Sequence, residues 1–147
     1  LWVHGPAGVG KTTIMHSIAS ELLQQSNTNT QNLNWSYAEH PAIFTGSTFF
    51  FSRKNQVTDR RMFFSTLAYG LARHIPGLAP YIQFIFDTTP GITELSFKAQ
   101  CDALIVRPIH AWAPFAANDY DIFMIVDGLD ECDGGEEAHV ELINAIH

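Results

Sequence analysis

Residues 5–12 read Gly-Pro-Ala-Gly-Val-Gly-Lys-Thr, and no other stretch restricts the fold of this chain as much. Glycines at 5, 8 and 10 lack a Cβ, so the backbone can curl tightly and enter the left-handed region where it must. Successive N–H groups then converge into an anion-binding nest. Residues 1–4 (LWVH) read as a short buried strand, and residues 11–25 as a helix with Ile14, Ile18 and Leu22 at four-residue spacing on one face. A helix that begins at the loop aims the positive end of its dipole at whatever the nest holds. Between a strand and a helix, G-x-x-x-x-G-K-[ST] has a mechanism. Gly5, Pro6, Ala7, Gly8, Val9, Gly10 and Thr13 would line a phosphate cradle, Lys11 would set its ammonium against the β and γ oxygens, and Thr12 would offer its hydroxyl to Mg2+. The expected ligand is a nucleoside triphosphate, ATP or GTP, with Mg2+.

A second feature answers the first. Residues 122–126 are continuously apolar and lead into Asp127, Gly128, Leu129, Asp130 and Glu131. A carboxylate at the C-terminal end of a central parallel strand lies where doubly wound sheets place their ligand contacts. Asp127 is therefore expected to hold Mg2+, through a coordinated water. An acid directly after it could polarise an attacking water, but that position is Gly128. Asp130 or Glu131 must do so instead, with Asp130 slightly favoured. The plainer alternative for both is a helix cap or a solvated turn.

The remaining segments alternate. Residues 26–42 are polar and without period, a surface loop whose Trp35 and Tyr37 could dock back on the body. Residues 46–51 read as a strand with Phe49–Phe51 in the core. Asp59 is a candidate N-cap for a helix over 59–75 carrying Phe63, Leu67, Leu71 and Ile75 on one stripe. Pro76-Gly77 ends it, a short helix follows near 78–86, and Pro90-Gly91 interrupts again. A helix is predicted over 93–106 with Leu95, Ala99 and Leu104 roughly aligned, then a loop bracketed by Pro108 and Pro114, a strand over 121–126 and a helix over 136–146. Such alternation implies an α/β sheet with helices on both faces. With the phosphate loop, it specifies a P-loop NTPase three-layer α/β/α sandwich with a mainly parallel sheet, truncated after the strand of the acidic motif.

Charge and cysteine usage exclude other classes. The 147 residues carry 8 Lys+Arg against 15 Asp+Glu, a net charge of −7 with no basic run. Nucleic acid and anionic membrane are therefore not expected as direct partners. No apolar run approaches the ~20 residues of a membrane helix, and Gly5-Pro6 rules out a signal peptide at the start. Cys101 and Cys132 have no second pair to complete a zinc set, and two reduced thiols suit a cytoplasmic protein. The histidines lack metal-binding spacing, and His4 reads as structural. Arg53 and Arg107 each could reach a phosphate, although solvated or helix-capping roles are the plainer reading. Arg60 and Arg61 lie in a first helical turn, where the dipole disfavours cations, so either something else holds them there or, as the plainer reading, they are exposed. The chain begins inside a strand pattern and ends inside a helical one, as a segment of a longer protein would.

The set WVHGPAGVGKTTI at 2–14, FFFSR at 49–53, RRMFFSTLAYGLA at 60–72, LIVRPI at 104–109 and IVDGLDEC at 125–132 resembles the NACHT nucleotide-binding domain of STAND-class signalling ATPases. Within that class it is similar to the fungal branch with a nephrocystin-like N-terminal NTPase module. The likeness covers essentially the whole chain. It is most specific in two motifs, the loop at 5–12 (Walker A) and the acidic strand end at 122–131 (Walker B). A small residue after the magnesium carboxylate is that class's own variant.

The resemblance implies phosphate and magnesium binding by Gly5, Gly10, Lys11 and Thr12, with an acidic cluster of Asp127, Asp130 and Glu131. It further implies a partial NACHT domain over 1–147, acting in a cytoplasmic, innate-immunity-like switch. ADP would hold the closed form, and ATP an open form that self-associates. Hydrolysis would be slow and confined to the full-length protein, which would carry effector and repeat domains. A strand order of 5-1-4-3-2 would put both neighbours of the phosphate-loop strand outside this segment. Competing readings are a small-molecule or nucleotide kinase, for which no lid or basic acceptor cluster is visible, and an inactive truncated remnant. No N-K-x-D motif supports a GTPase, and no L-S-G-G-Q motif supports a transporter ATPase.

Overall fold

The computed structural model describes Gly5 and residues 9–28, 43–117 and 119–146. The expected strand at 1–4, most of the polar loop at 26–42, and Pro6, Ala7 and Gly8 lie outside the described residues. The described elements are α1 (Lys11–Thr28), β1 (Ile43–Phe50), α2 (Phe63–His74), α3 (Ala79–Thr88), α4 (Phe97–Cys101), α5 (Arg107–Trp112), β2 (Tyr120–Asp127) and α6 (Gly135–Ile146).

β1 and β2 pair in parallel, in register from Ile43–Tyr120 to Phe50–Asp127. Parallel neighbours need a long crossover, and α2 to α5 supply it. Side chains alternate across the sheet. Phe49 and Phe51 face α2, their rings 5.1 and 5.7 Å from Phe63. Phe50 points the other way and stacks on His16 of α1, the centroids 4.0 Å apart and the planes within 3°. The chain is thus a mixed α/β fold with helices on both faces of a parallel sheet, α1 on one and α2 on the other. The expectation that Phe49–Phe51 all enter the core holds for Phe49 and Phe51, while Phe50 is half-buried under α1.

The main core lies on the α2 side. Asp59 caps the entry by accepting the Arg61 N–H at 2.9 Å, and a single 3₁₀ turn, Arg60–Met62, leads into α2. Side-chain and backbone hydrogen bonds from Arg61 hold the Asp59 carboxyl below its ordinary value. The predicted stripe is fully interior: Phe63, Leu67, Leu71 and Ile75 are between 0 and 1% exposed. Cys132 is buried and Cys101 partly so; both are free thiols, and burial pushes both upward in pKa.

Three expectations need correction. Ile14 is half exposed and Leu95 is also exposed. The first lies on a face of α1 that the two described strands do not cover. The second precedes α4, in the extended residue after a 3₁₀ turn at Ile92–Glu94. Pro108 does not open a loop. It sits inside a continuous helical run, because a π-turn over Asp102–Val106 precedes it and the Arg107 N–H reaches back to the Asp102 carbonyl. A proline lacks the N–H and collides with the carbonyl four residues back, and the wider turn relieves both problems. Pro114 likewise lies in a 3₁₀ turn, Ala113–Phe115. Among the described residues, no helix is long and apolar enough to cross a membrane.

Leu71→Ala should destabilise the fold by ~2–5 kcal/mol, as for a fully buried leucine whose site cannot collapse. Tyr69→Ala, at a position 64% exposed on the same helix, should stay within ~0.5 kcal/mol. Urea unfolding of both variants checks this; equal midpoints would place the core elsewhere.

Candidate functional site

The chain reverses from loop to helix at Gly10, whose φ of +85° is left-handed. The first helical bond follows at once, Ile14 N–H to the Gly10 carbonyl at 3.0 Å. Lys11 Nζ donates to the Gly5 carbonyl at 2.7 Å. The ammonium therefore bridges the two ends of residues 5–11, with the start of the 18-residue α1 behind it. Thr12 and Thr13 are exposed at that start, as are Val9 and Gly10.

The sheet carries the second half of the site to the same side. Asp127 is in register with Phe50, and Phe50 is the residue on which His16 of α1 stacks. By the pleat, Asp127 shares the α1 face with Phe50. His16 lies in the second turn of α1, so the helix passes over the strand ends near its N-terminus. A hydroxyl at Thr12 and a carboxylate at Asp127 are oxygen donors suited to a hard divalent cation. Among the described residues, no cluster of three or more His, Cys, Asp or Glu side chains could hold a metal by itself.

Beyond Asp127 the ladder runs one bond further, from the Phe51 N–H to the Asp127 carbonyl at 2.9 Å. Gly128 then turns with φ +69°, and a Cβ there would lie 2.5 Å from the Phe51 carbonyl oxygen. Only glycine fits, so an acid directly after Asp127 is sterically excluded. A 3₁₀ turn at Leu129–Glu131 follows, closed by the Glu131 N–H on the Gly128 carbonyl at 2.7 Å.

This turn is tied to the segment leaving β1. The Arg53 backbone N–H donates to Glu131 Oε2 at 2.6 Å, and the Arg53 guanidinium donates to the Asp130 carbonyl at 2.9 Å. Thr58 Oγ1 donates to Asp133 Oδ2 at 2.7 Å, and the Asp133 N–H returns a bond to the Thr58 carbonyl at 3.1 Å. Arg53, for which a solvated or helix-capping role is the plainer expectation and a phosphate contact the alternative, instead bridges two loops. The signal available was its place immediately after an apolar strand, in the FFFSR stretch.

The other arginines are accounted for locally. Arg60 is half-buried with its guanidinium 5.4 Å from the Phe97 ring centroid, which corrects the expectation of exposure. Arg61 is exposed and paired with Asp59 at 2.9 Å. Arg107 pairs with Asp102 at 2.6 Å. A cavity of about 400 Å³ between α3 and α5 is lined by Pro80, Tyr81, Phe84, Ile85, Arg107, Pro108 and Ala111. Its lining includes Arg107 and Pro108 of the LIVRPI stretch but, among the described residues, none from the loop at 5–12 or the acidic strand end, so the candidate site rests on those two motifs.

A family model described as nephrocystin 3, N-terminal, matches residues 1–147. The chain belongs to that family. The match spans both the loop at 5–12 and the acidic strand end, so the nephrocystin-like likeness seen in the residues extends over the entire segment. No curated protein and no solved structure matched the chain. In this member of the nephrocystin 3 N-terminal family, the candidate site consists of a left-handed glycine and a lysine at the start of α1, and an aspartate in register with Phe50, on which His16 of that helix stacks.

Gly128→Ala should destabilise the domain by at least ~1–2 kcal/mol, because the left-handed backbone alone costs an L-residue about that much before the Phe51 carbonyl is displaced. Thermal unfolding checks it, and an unchanged midpoint would mean the turn has another conformation.

Proposed function

We propose that this segment binds a nucleoside triphosphate with Mg2+ and hydrolyses it slowly, serving as the nucleotide-controlled switch of a NACHT-type signalling protein. One observation carries the reading. The G-x-x-x-x-G-K-T loop opens a long helix whose second turn stacks on Phe50, the strand partner of Asp127. That supports a loop and a carboxylate working on one ligand. The donor chemistry fits the group. Lys11 already reaches across the loop to a carbonyl oxygen, and phosphate oxygens would offer the same ammonium a charged acceptor.

In this reading Gly5, Pro6, Ala7, Gly8, Val9, Gly10 and Thr13 give the backbone cradle, and the α1 dipole favours negative charge within it. Thr12 and Asp127 hold Mg2+, which when bound neutralises charge developing on the phosphates. ATP or GTP both fit these contacts, since nothing in the two motifs reads the base. The acidic surface, net −7, gives no attraction for nucleic acid. Self-association in the triphosphate form, a cytoplasmic setting, and effector and repeat domains in the full-length protein complete the proposal.

The test uses the full-length protein with fluorescent nucleotide and a phosphate-release assay. Lys11→Ala should lower nucleotide affinity at least about tenfold, consistent with the ~1.5–3 kcal/mol of a hydrogen bond to a charged group. Asp127→Ala should slow Mg2+-dependent phosphate release by about two orders of magnitude while weakening binding less. Unchanged affinity and release in both variants would reject the proposal.

A further inference from the structure

A second cavity, of about 260 Å³, lies where the 3₁₀ turn before α2, the turn before α4 and the flank of α6 meet. Among the described residues it shares none with the loop at 5–12 or the acidic strand end. Gln100 of α4 is 1% exposed and lines it. The Gln100 Nε2 donates to the Thr93 and Leu95 carbonyls at 3.1 and 2.8 Å, which fixes the orientation of the amide. Among the described residues, nothing donates to its buried Oε1. A buried acceptor left bare is costly, so such atoms are ordinarily met by a donor.

Arg60 has the opposite lack. Its guanidinium carbon is 5.4 Å from the Phe97 ring centroid, and among the described residues no acceptor meets its N–H groups. The ring contact offsets part of the charge but leaves those groups open to an acceptor-only partner such as a carboxylate. Arg61 beside it is taken up by Asp59 at 2.9 Å and Glu94 at 3.6 Å. On α6, Glu141 is exposed and, among the described residues, without a partner.

The charged side chains lining the cavity are Arg60 and Arg61 against Glu94 and Glu141, so their formal charges cancel. That disfavours a ligand of large net negative charge, phosphate included. A neutral zwitterion suits it, since it brings an acceptor for Arg60 and donors for Gln100 Oε1 and Glu141. The volume is below the ~300–1,000 Å³ of drug-sized pockets, so the ligand is small. We infer that this cavity binds a small zwitterion of the α-amino acid type, its carboxylate on Arg60 and its ammonium between Gln100 Oε1 and Glu141.

Titration calorimetry and thermal melting of the full-length protein, with each standard L-amino acid in turn and with inorganic phosphate, test this. At least one amino acid should bind with one-to-one stoichiometry and raise Tm. The matching amine without the carboxylate, and the matching acid without the amine, should each bind about tenfold more weakly or worse. Arg60→Met keeps an apolar stem beside Phe97 and should lower affinity at least about tenfold. Glu141→Gln, at an exposed position, should lower it about threefold while leaving the Tm of the free protein unchanged. Absence of binding by every amino acid would overturn the assignment. So would binding that both Arg60→Met and Glu141→Gln leave unchanged. Phosphate binding as tight as that of the amino acid would mark a plain anion site and overturn it as well.

Discussion

The parallel pairing of β1 with β2 is the constraint on which the site depends. Parallel strands end at the same edge of a sheet, so the loop leaving Phe50 and the loop leaving Asp127 are brought together by the ladder itself. The bond from the Phe51 N–H to the Asp127 carbonyl carries that pairing past the last register pair. Had the strands been antiparallel, Arg53 and Glu131 would lie at opposite edges and the acidic turn would have no tether. The crossover that makes them parallel is the helical run from α2 to α5, and its packing rests on the aromatic contacts of Phe49, Phe51 and Phe63.

Charge in this region is local. A chain of net charge −7 does not attract a polyphosphate as a whole. In the proposed function, attraction would come from the few donors at the start of α1 and from Lys11, which act at hydrogen-bond range. Arg53 offsets the acidic turn by bonding through its guanidinium to a carbonyl and through its backbone to a carboxylate. The exclusion of any side chain at Gly128 keeps a further acid from standing directly beside Asp127.

Much of the framework was legible in the residues. Period-four apolar spacing identified α2, and a continuous apolar run ending in an acid identified β2, because burial on one stripe or within a sheet leaves direct marks in composition. The start of α1 could be read because the left-handed backbone that Gly10 adopts is one that few residues other than glycine enter. What escaped were features that depend on partners far apart in sequence. Arg53 looks like any exposed arginine until β2 brings Glu131 beside it, 78 positions away. The helical path through Pro108 was hidden because a π-turn has no sequence signature, and proline alone argues for a break. Ile14 kept helical spacing yet stays half exposed, since periodicity reports a helix face and not what covers it.

In the proposed function, Thr12 and Asp127 serve one ion on one nucleotide. A double-mutant cycle on the full-length protein measures this directly: Mg2+-dependent ATP affinity of wild type, Thr12→Ala, Asp127→Ala and the double variant. Residues that share a ligand couple, and residues that do not are additive. Strong coupling is expected, with the double variant no weaker than the poorer single variant by more than about threefold, and with the coupling lost when Mg2+ is chelated. Fully additive effects that persist without Mg2+ would contradict it.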